Sequence, residues 1–145
     1  MSGPCLFCAI AAGRIPARIV HSAEDLVAFL DTSPLLPGHV LVVPRAHHET
    51  LDDLPPALIG PLFGAVKRIS VAVQAAMPAH GSFVAVNTRI SQSVPHLHVH
   101  VVPRRDKDGL FSPKLVWHRR PYPSDAEADA VADRIRAALA PPVTS

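Results

Sequence analysis

Hydrophobic positions in this chain change period several times, and each change marks an element. Leu6 to Ala11 reads as a short helical turn, and Ile19-Val20-His21 as a brief strand. Leu26 to Leu30 is a stronger strand, closed by Asp31. A Pro-rich loop, Thr32 to Gly38, leads into the β run His39-Val40-Leu41-Val42-Val43, which stops at Pro44. From Pro56 to Met77 the period becomes helical. Ile59, Leu62, Phe63, Val66, Ile69, Val73 and Met77 form one stripe, with Lys67, Arg68 and Gln74 off it, and Pro78 ends it. Gly81 opens a strand over Ser82 to Asn87, and a polar loop, Thr88 to Ser93, follows. His96 to Val102 then alternates polar and apolar. A last helix starts at Ser124, where Ser124 and Glu127 match a capping box, and runs to about Leu139 with Val131, Ile135 and Leu139 inward. This order predicts an α+β domain: a mainly antiparallel meander sheet, one long helix and a C-terminal helix.

Composition narrows the function classes. A chain of 145 residues, 48% hydrophobic and 18% charged, is expected to fold as a single domain, 1–145. A net charge of +2 with scattered Lys and Arg gives no reason to expect nucleic acid or a membrane surface as partner. The start, Met1-Ser2-Gly3-Pro4-Cys5, has neither the basic nor the apolar stretch of a signal peptide, and no apolar run approaches the ~20 residues of a membrane span. A cytoplasmic protein with reduced cysteines is the expectation.

The alternating stretch is His96-Leu97-His98-Val99-His100-Val101-Val102-Pro103. In a strand, residues two apart share a face, so His96, His98 and His100 would stand in a row with Leu97, Val99 and Val101 opposite. Such a row is a polar strand face, a metal clamp or a catalytic group. Charged or small polar residues serve the first purpose better. Three imidazoles can hold zinc with an open position, and one imidazole can attack an electrophile while the others bind oxygens and move protons. Sequence spacing leaves the last two readings close. The flanks lean to catalysis: Ser91-Gln92-Ser93-Val94-Pro95, Asn87 and His39 form no good zinc set as a group, but all can bind an oxyanion.

The stretch resembles the His-φ-His-φ-His-φ-φ signature of the histidine triad (HIT) family of nucleotide hydrolases and transferases. Gln92-Ser93-Val94, Asn87, Gly38-His39-Val40-Leu41-Val42-Val43-Pro44, Asp31 and Cys5-Leu6-Phe7-Cys8 match family landmarks in order. The resemblance covers about 5–104, leaving 105–145 as a C-terminal extension. It implies a homodimer and a purine nucleotide substrate cleaved at the α-phosphate, as in a nucleoside phosphoramidate, a dinucleoside polyphosphate or a nucleoside phosphosulfate. It makes His98 the nucleophile of a covalent nucleotidyl-histidine intermediate that water resolves to a nucleoside monophosphate. The proton of its other ring nitrogen would rest on the His96 backbone carbonyl, His100 would donate to a phosphate oxygen, and His39 would support the row. Asn87, Gln92 and Ser93 would contact phosphate or leaving group, Asp31 the ribose hydroxyls, and Leu6, Phe7 and Leu30 the base. No metal is required for that attack if neutral donors cradle the charge.

By the same resemblance, Cys5, Cys8, His47 and His96 are the candidate ligands of a structural zinc; alone, one Cys-x-x-Cys reads as two buried small hydrophobes. The chain departs from the common pattern at Ser91, where glycine is frequent, and in the basic, apolar loop Thr88-Arg89-Ile90. The stretch from Lys114 through Trp117 to Tyr122 is basic and aromatic. It is expected to cover the sheet or a partner subunit, or to bring Trp117 or its arginines to the leaving group across a dimer. The other function class consistent with the residues is a nucleotide-binding or partner-binding regulatory module whose turnover is incidental.

Overall fold

The computed structural model describes residues 4–113 and 119–140. Trp117, the neighbouring Lys114 and the tail 141–145 lie outside the described residues. The elements run α1 (Leu6–Ala11), β1 (Ile19–Ser22), β2 (Leu26–Leu30), β3 (Val40–Pro44), α2 (Pro56–Ala76), β4 (Gly81–Val86), β5 (Val99–Arg104) and α3 (Asp125–Leu139). Sheet order is β1-β2-β3-β5-β4 with every pair antiparallel. The α+β class and both helices are as the pattern predicts. The first three strands meander, and β5 returns between β3 and β4 as a central strand.

Strand alternation sorts the core into two layers. Leu26, Ala28, Leu30, Val40, Val42, Leu97, Val99 and Val101 face the helices and pack on Leu62, Val66, Ile69 and Val73 of α2 and on Val131 and Ile135 of α3. Residues of the opposite parity, Val27, Phe29, Leu41 and Val43, pack on Phe7 and Ile10 of α1. By length and composition α2 is apolar enough to cross a membrane. Here its apolar stripe, Leu62 to Ala76, is buried in the main core. At α3 the Ser124 hydroxyl accepts the Glu127 N–H at 3.2 Å, the predicted N-cap. Arg18 ties β1 to α3 through Asp129 (2.7 Å) and Asp125 (3.1 Å).

The histidine row is not wholly a strand. The β3–β5 ladder pairs Val40 with Val101, Leu41 with His100 and Val42 with Val99, and β5 begins at Val99. Pro44 supplies the physical reason: it has no N–H to continue the ladder, and its carbonyl accepts the His96 Nε2–H at 2.8 Å. The Leu97 N–H goes instead to the His48 carbonyl at 2.7 Å. A side-chain bond thus replaces the ladder just where the row begins.

Gly38 sets the entry to β3. Its φ is +94°, and a Cβ there would stand 2.6 Å from Met77 Cγ and 2.8 Å from Pro103 Cγ, so neither the backbone nor the space admits a side chain. Its N–H is held by the Tyr122 hydroxyl at 2.9 Å. The segment after residue 118 is thereby fastened to the loop that delivers His39.

Candidate active site

The face of the sheet beneath α1 carries the site. Antiparallel register sets Leu41 against His100 on β5 and against Phe29 on β2. His39 and Asp31 stand one step beyond, linked by the Asp31 N–H to the His39 carbonyl at 2.9 Å. The row is not an exposed polar face. His96 is 0% exposed, His98 4% and His100 2%, because α1 and the loops cover them. Phe7 meets His96 and His98 edge-on, with ring centroids 5.9 and 5.1 Å away.

Hydrogen bonds fix each proton. The Leu35 backbone N–H donates to His39 Nδ1 at 3.1 Å. That nitrogen is therefore an acceptor, and the ring's proton sits on Nε2. His39 Nε2–H donates to His100 Nδ1 at 3.0 Å, which leaves the His100 proton on its own Nε2. That Nε2 is buried with no partner among the described residues. A buried donor without an acceptor is costly and rare, and here it belongs to a ring that lines the cavity below. His98 is held the other way round. Its Nδ1–H donates to the His96 carbonyl at 2.7 Å, so Nε2 carries a bare lone pair.

This assignment requires neutral rings. Burial pushes His39 down to about 3, outweighing the pull of Asp31. Burial likewise lowers His100 to about 4, with His98 and the Arg119 guanidinium acting in the same direction. His98 is lowered too, chiefly by burial. His39 Nε2 lies 3.7 Å from Asp31 Oδ2, too long for a hydrogen bond, and a neutral ring makes no ion pair with it.

The folded chain refuses protons that its unfolded form accepts at these two positions. Stability is therefore full above the unfolded pKa of about 6.5 and lost as pH falls from there toward about 4 for His100 and about 3 for His39. The slope is at most about 1.4 kcal/mol per pH unit for each ring. Urea titrations at pH 7.5 and pH 5 should show the midpoint fall at the lower pH, and the His39→Gln variant should show a smaller fall. Equal midpoints at the two pH values would contradict buried neutral rings.

A cavity of about 480 Å³ opens over His98 and His100. Leu6, Phe7, Ser93 and Asp31 border it. Leu30 borders it as well, although it belongs by parity to the main core. Asn87 lies in an adjoining cavity of about 380 Å³ with Ser91, Ser93 and Arg119. Gln92 lines neither: its Oε1 accepts the Arg89 N–H at 2.9 Å and its Nε2 donates to the Glu49 carbonyl at 2.6 Å, bracing the loop. Ser91 takes a left-handed backbone, φ +61°, the conformation for which glycine is the usual residue.

Several lining residues went unread as site residues in the sequence, Ile10, Phe29, Ser33, Leu41 and Val94 among them. Phe29 and Leu41 were legible in principle, since Phe29 stands two before Asp31 and Leu41 two after His39. Arg119 belongs to the basic stretch whose arginines were expected near the leaving group, but nothing local ties residue 119 to residue 31. Its Nη1 donates to Asp31 Oδ2 at 2.7 Å and to the Ser33 carbonyl at 3.1 Å.

Beside the cavity, Cys5, Cys8, His47 and His96 each bring one ligand atom to within 4.8 Å of the others. His96 Nδ1 is 3.3 Å from Cys5 Sγ and 3.5 Å from Cys8 Sγ, and His47 Nδ1 is 3.3 Å from Cys8 Sγ. Bonds of ~2.3 Å to sulfur and ~2.0 Å to nitrogen imply tetrahedral edges of roughly 3.3–3.8 Å. The set fits that size. Because His96 Nε2–H is spent on the Pro44 carbonyl, Nδ1 is the nitrogen with a free lone pair. The His96 carbonyl that orients His98 belongs to this same residue.

Comparison with known proteins agrees with this geometry. The HIT domain profile matches residues 12–107. An uncharacterised HIT-like protein of Mycobacterium tuberculosis is 36% identical over 94% of this chain and 94% of its own length. An adenylylsulfatase of Arabidopsis thaliana is 29% identical over 94% of this chain and 70% of its own. A crystal structure of a zinc-bound histidine triad family protein from Mycobacterium smegmatis superposes with a TM-score of 0.81 at 36% identity, covering 93% of this chain and 92% of that one.

Proposed function

The chain belongs to the HIT domain family, and on that premise we propose that it hydrolyses nucleotides at the α-phosphate through a nucleotidyl intermediate on His98. One observation carries the reading: His98 offers an unprotonated Nε2 beside a His100 Nε2–H that has no partner among the described residues, and both rings line one cavity. A nucleophile and an oxyanion donor are thus preorganised side by side.

The reaction runs in two displacements. The His98 Nε2 lone pair attacks phosphorus, an N–P bond forms, and the bond to the leaving group breaks with its electron pair. Nδ1 keeps its proton on the His96 carbonyl throughout. Water then attacks phosphorus, the N–P bond breaks with its pair returning to Nε2, and the water proton passes to solvent. His100 Nε2–H and Ser93 stabilise the phosphoryl oxygens. Phe7 and Leu6 flank the base, and Asp31 accepts from the ribose hydroxyls while keeping its bonds to Ser33 and Arg119. The adenylylsulfatase relative supports an adenine nucleotide as substrate.

Cys5, Cys8, His47 and His96 hold a structural zinc in this reading, supported by the spacing of their ligand atoms and by the zinc-bound relative. The zinc serves folding and the placement of His96, not the displacement. Pairing of two copies is proposed along β4, an edge strand, where Val84 is 41% exposed and Val71 on the neighbouring helix 63%. The chain is proposed to work in the cytoplasm, where its cysteines stay reduced.

Quenching the enzyme in alkaline denaturant seconds after mixing with adenosine 5′-phosphosulfate tests the intermediate. Peptide mass spectrometry should find an AMP adduct on the peptide containing His98, lost on mild acid treatment. Product accumulating with no adduct at any quench time would refute the covalent route.

A further inference from the structure

We infer that Arg119 selects substrates whose leaving group is an anion, such as sulfate or a phosphate chain, over those that release a neutral amine. The inference rests on the proposed hydrolysis at His98 and concerns the side of the site facing the leaving group.

Arg119 is the residue common to the two cavities besides Ser93. It borders the larger one together with His98, His100 and Asp31, and the smaller one together with Asn87 and Ser91. A nucleotide with its base near Phe7, its ribose at Asp31 and its α-phosphate at His98 and His100 has one direction left for the leaving group. That direction is the smaller cavity. Asn87, Ser91 and Ser93 give it neutral donors, Arg119 gives it a cation, and no carboxylate lines it among the described residues.

The guanidinium is held but not used up. Both of its bonds to described residues come from Nη1, to Asp31 Oδ2 and the Ser33 carbonyl; Nη2 and Nε make none. Arginine presents five donors in a rigid fork suited to paired oxygens of sulfate or phosphate. The segment carrying it is fixed on both sides of the loop 31–38. The Arg120 N–H donates to the Pro34 carbonyl at 3.1 Å, and the Tyr122 hydroxyl accepts from Gly38 at 2.9 Å. The cation therefore reaches the site within the same chain, where the sequence suggested an approach from a partner subunit.

The chemistry of departure separates the two substrate classes. Sulfate or a phosphate chain leaves as an anion on the bridging oxygen and gains from a cation as its charge grows. An amine leaves only after its nitrogen takes a proton, becomes neutral or cationic, and gains nothing from a guanidinium. A charge-assisted hydrogen bond of this kind corresponds to roughly 10- to 100-fold in rate. Any effect of Arg119 on the ribose through Asp31 is shared by both classes and cancels in their ratio.

The test is kcat/KM for adenosine 5′-phosphosulfate and for adenosine 5′-phosphoramidate in the wild type, Arg119→Gln, Arg119→Lys and His98→Ala proteins. The phosphosulfate-to-phosphoramidate ratio should fall at least tenfold in Arg119→Gln and by less in Arg119→Lys, which keeps the charge and loses the fork. Should Arg119→Gln fail to fold, a lowered ratio in Arg119→Lys alone still supports the assignment. An unchanged ratio in the folded variants, with His98→Ala inactive on both substrates, overturns the role of Arg119 and leaves the nucleophile standing. Turnover persisting in His98→Ala, or absent in the wild type on both substrates, overturns the reading on which it rests.

Discussion

His98→Ala is expected to lose about 10⁴-fold or more in turnover of adenosine 5′-phosphosulfate while binding AMP within about threefold of the wild type. The gap between those two effects is the point. In the folded chain the His98 ring makes one hydrogen bond, to the His96 carbonyl 2.7 Å away, and borders the cavity with its other nitrogen. In the proposed binding mode base and ribose contacts come from other residues, Phe7 and Asp31 among them, so ground-state binding is expected to survive truncation. The displacement is not, because no other described imidazole offers a bare nitrogen to that cavity. His100 Nδ1 is occupied by His39, and His96 Nδ1 faces the cysteines. Stopped-flow turnover with calorimetric AMP titration measures both quantities. Residual activity within tenfold of the wild type would transfer the chemistry to another group, and a parallel collapse of AMP binding would make the ring structural.

Removing the zinc is expected to lower the melting temperature by about 10 °C, with Cys8→Ala reproducing the shift and chelator adding nothing further to that variant. Structural zinc contributes folding free energy directly. A loss of about 3 kcal/mol moves the midpoint by roughly 10 °C in a chain of this length. The four ligands come from α1, the segment after β3 and the approach to β5. A zinc ion held by these four residues would therefore join parts of the chain far apart in sequence. Metal analysis should return one zinc per chain, and calorimetry with and without chelator reads the shift. Catalysis should follow indirectly: without the ion the His96 ring keeps only its bond to Pro44, and the carbonyl orienting His98 is held less firmly. A metal-free protein melting at the same temperature would remove the zinc from the account.

Much of this was legible before the fold. Period changes located each strand and helix, because the main core is sorted by parity: Leu97, Val99 and Val101 really do face α2. The candidate catalytic and zinc residues could be named in sequence because the matching motifs are local. Three things could not. The ladder stops at Val99 because Pro44 sits opposite the start of the row, a cross-strand fact invisible in either segment alone. Gln92, chosen for its amide, spends it on Glu49 and Arg89, and side-chain partners across a loop have no sequence signal. Arg119 reaches Asp31 across 88 residues, fixed by the Tyr122–Gly38 bond rather than by any pattern.

The Leu35 amide has an effect out of proportion to its size. By handing its hydrogen to His39 it decides, two rings away, which nitrogen of His100 is a donor. Position 39 consequently tolerates only a side chain able to take a proton bond at one end and give one at the other across the width of an imidazole. Glutamine meets that demand; leucine, lysine and glutamate do not. The direction in which the site is polarised is thus inherited from main chain, and a change of loop shape between Asp31 and Gly38 that withdrew the Leu35 N–H would release it without altering a single histidine.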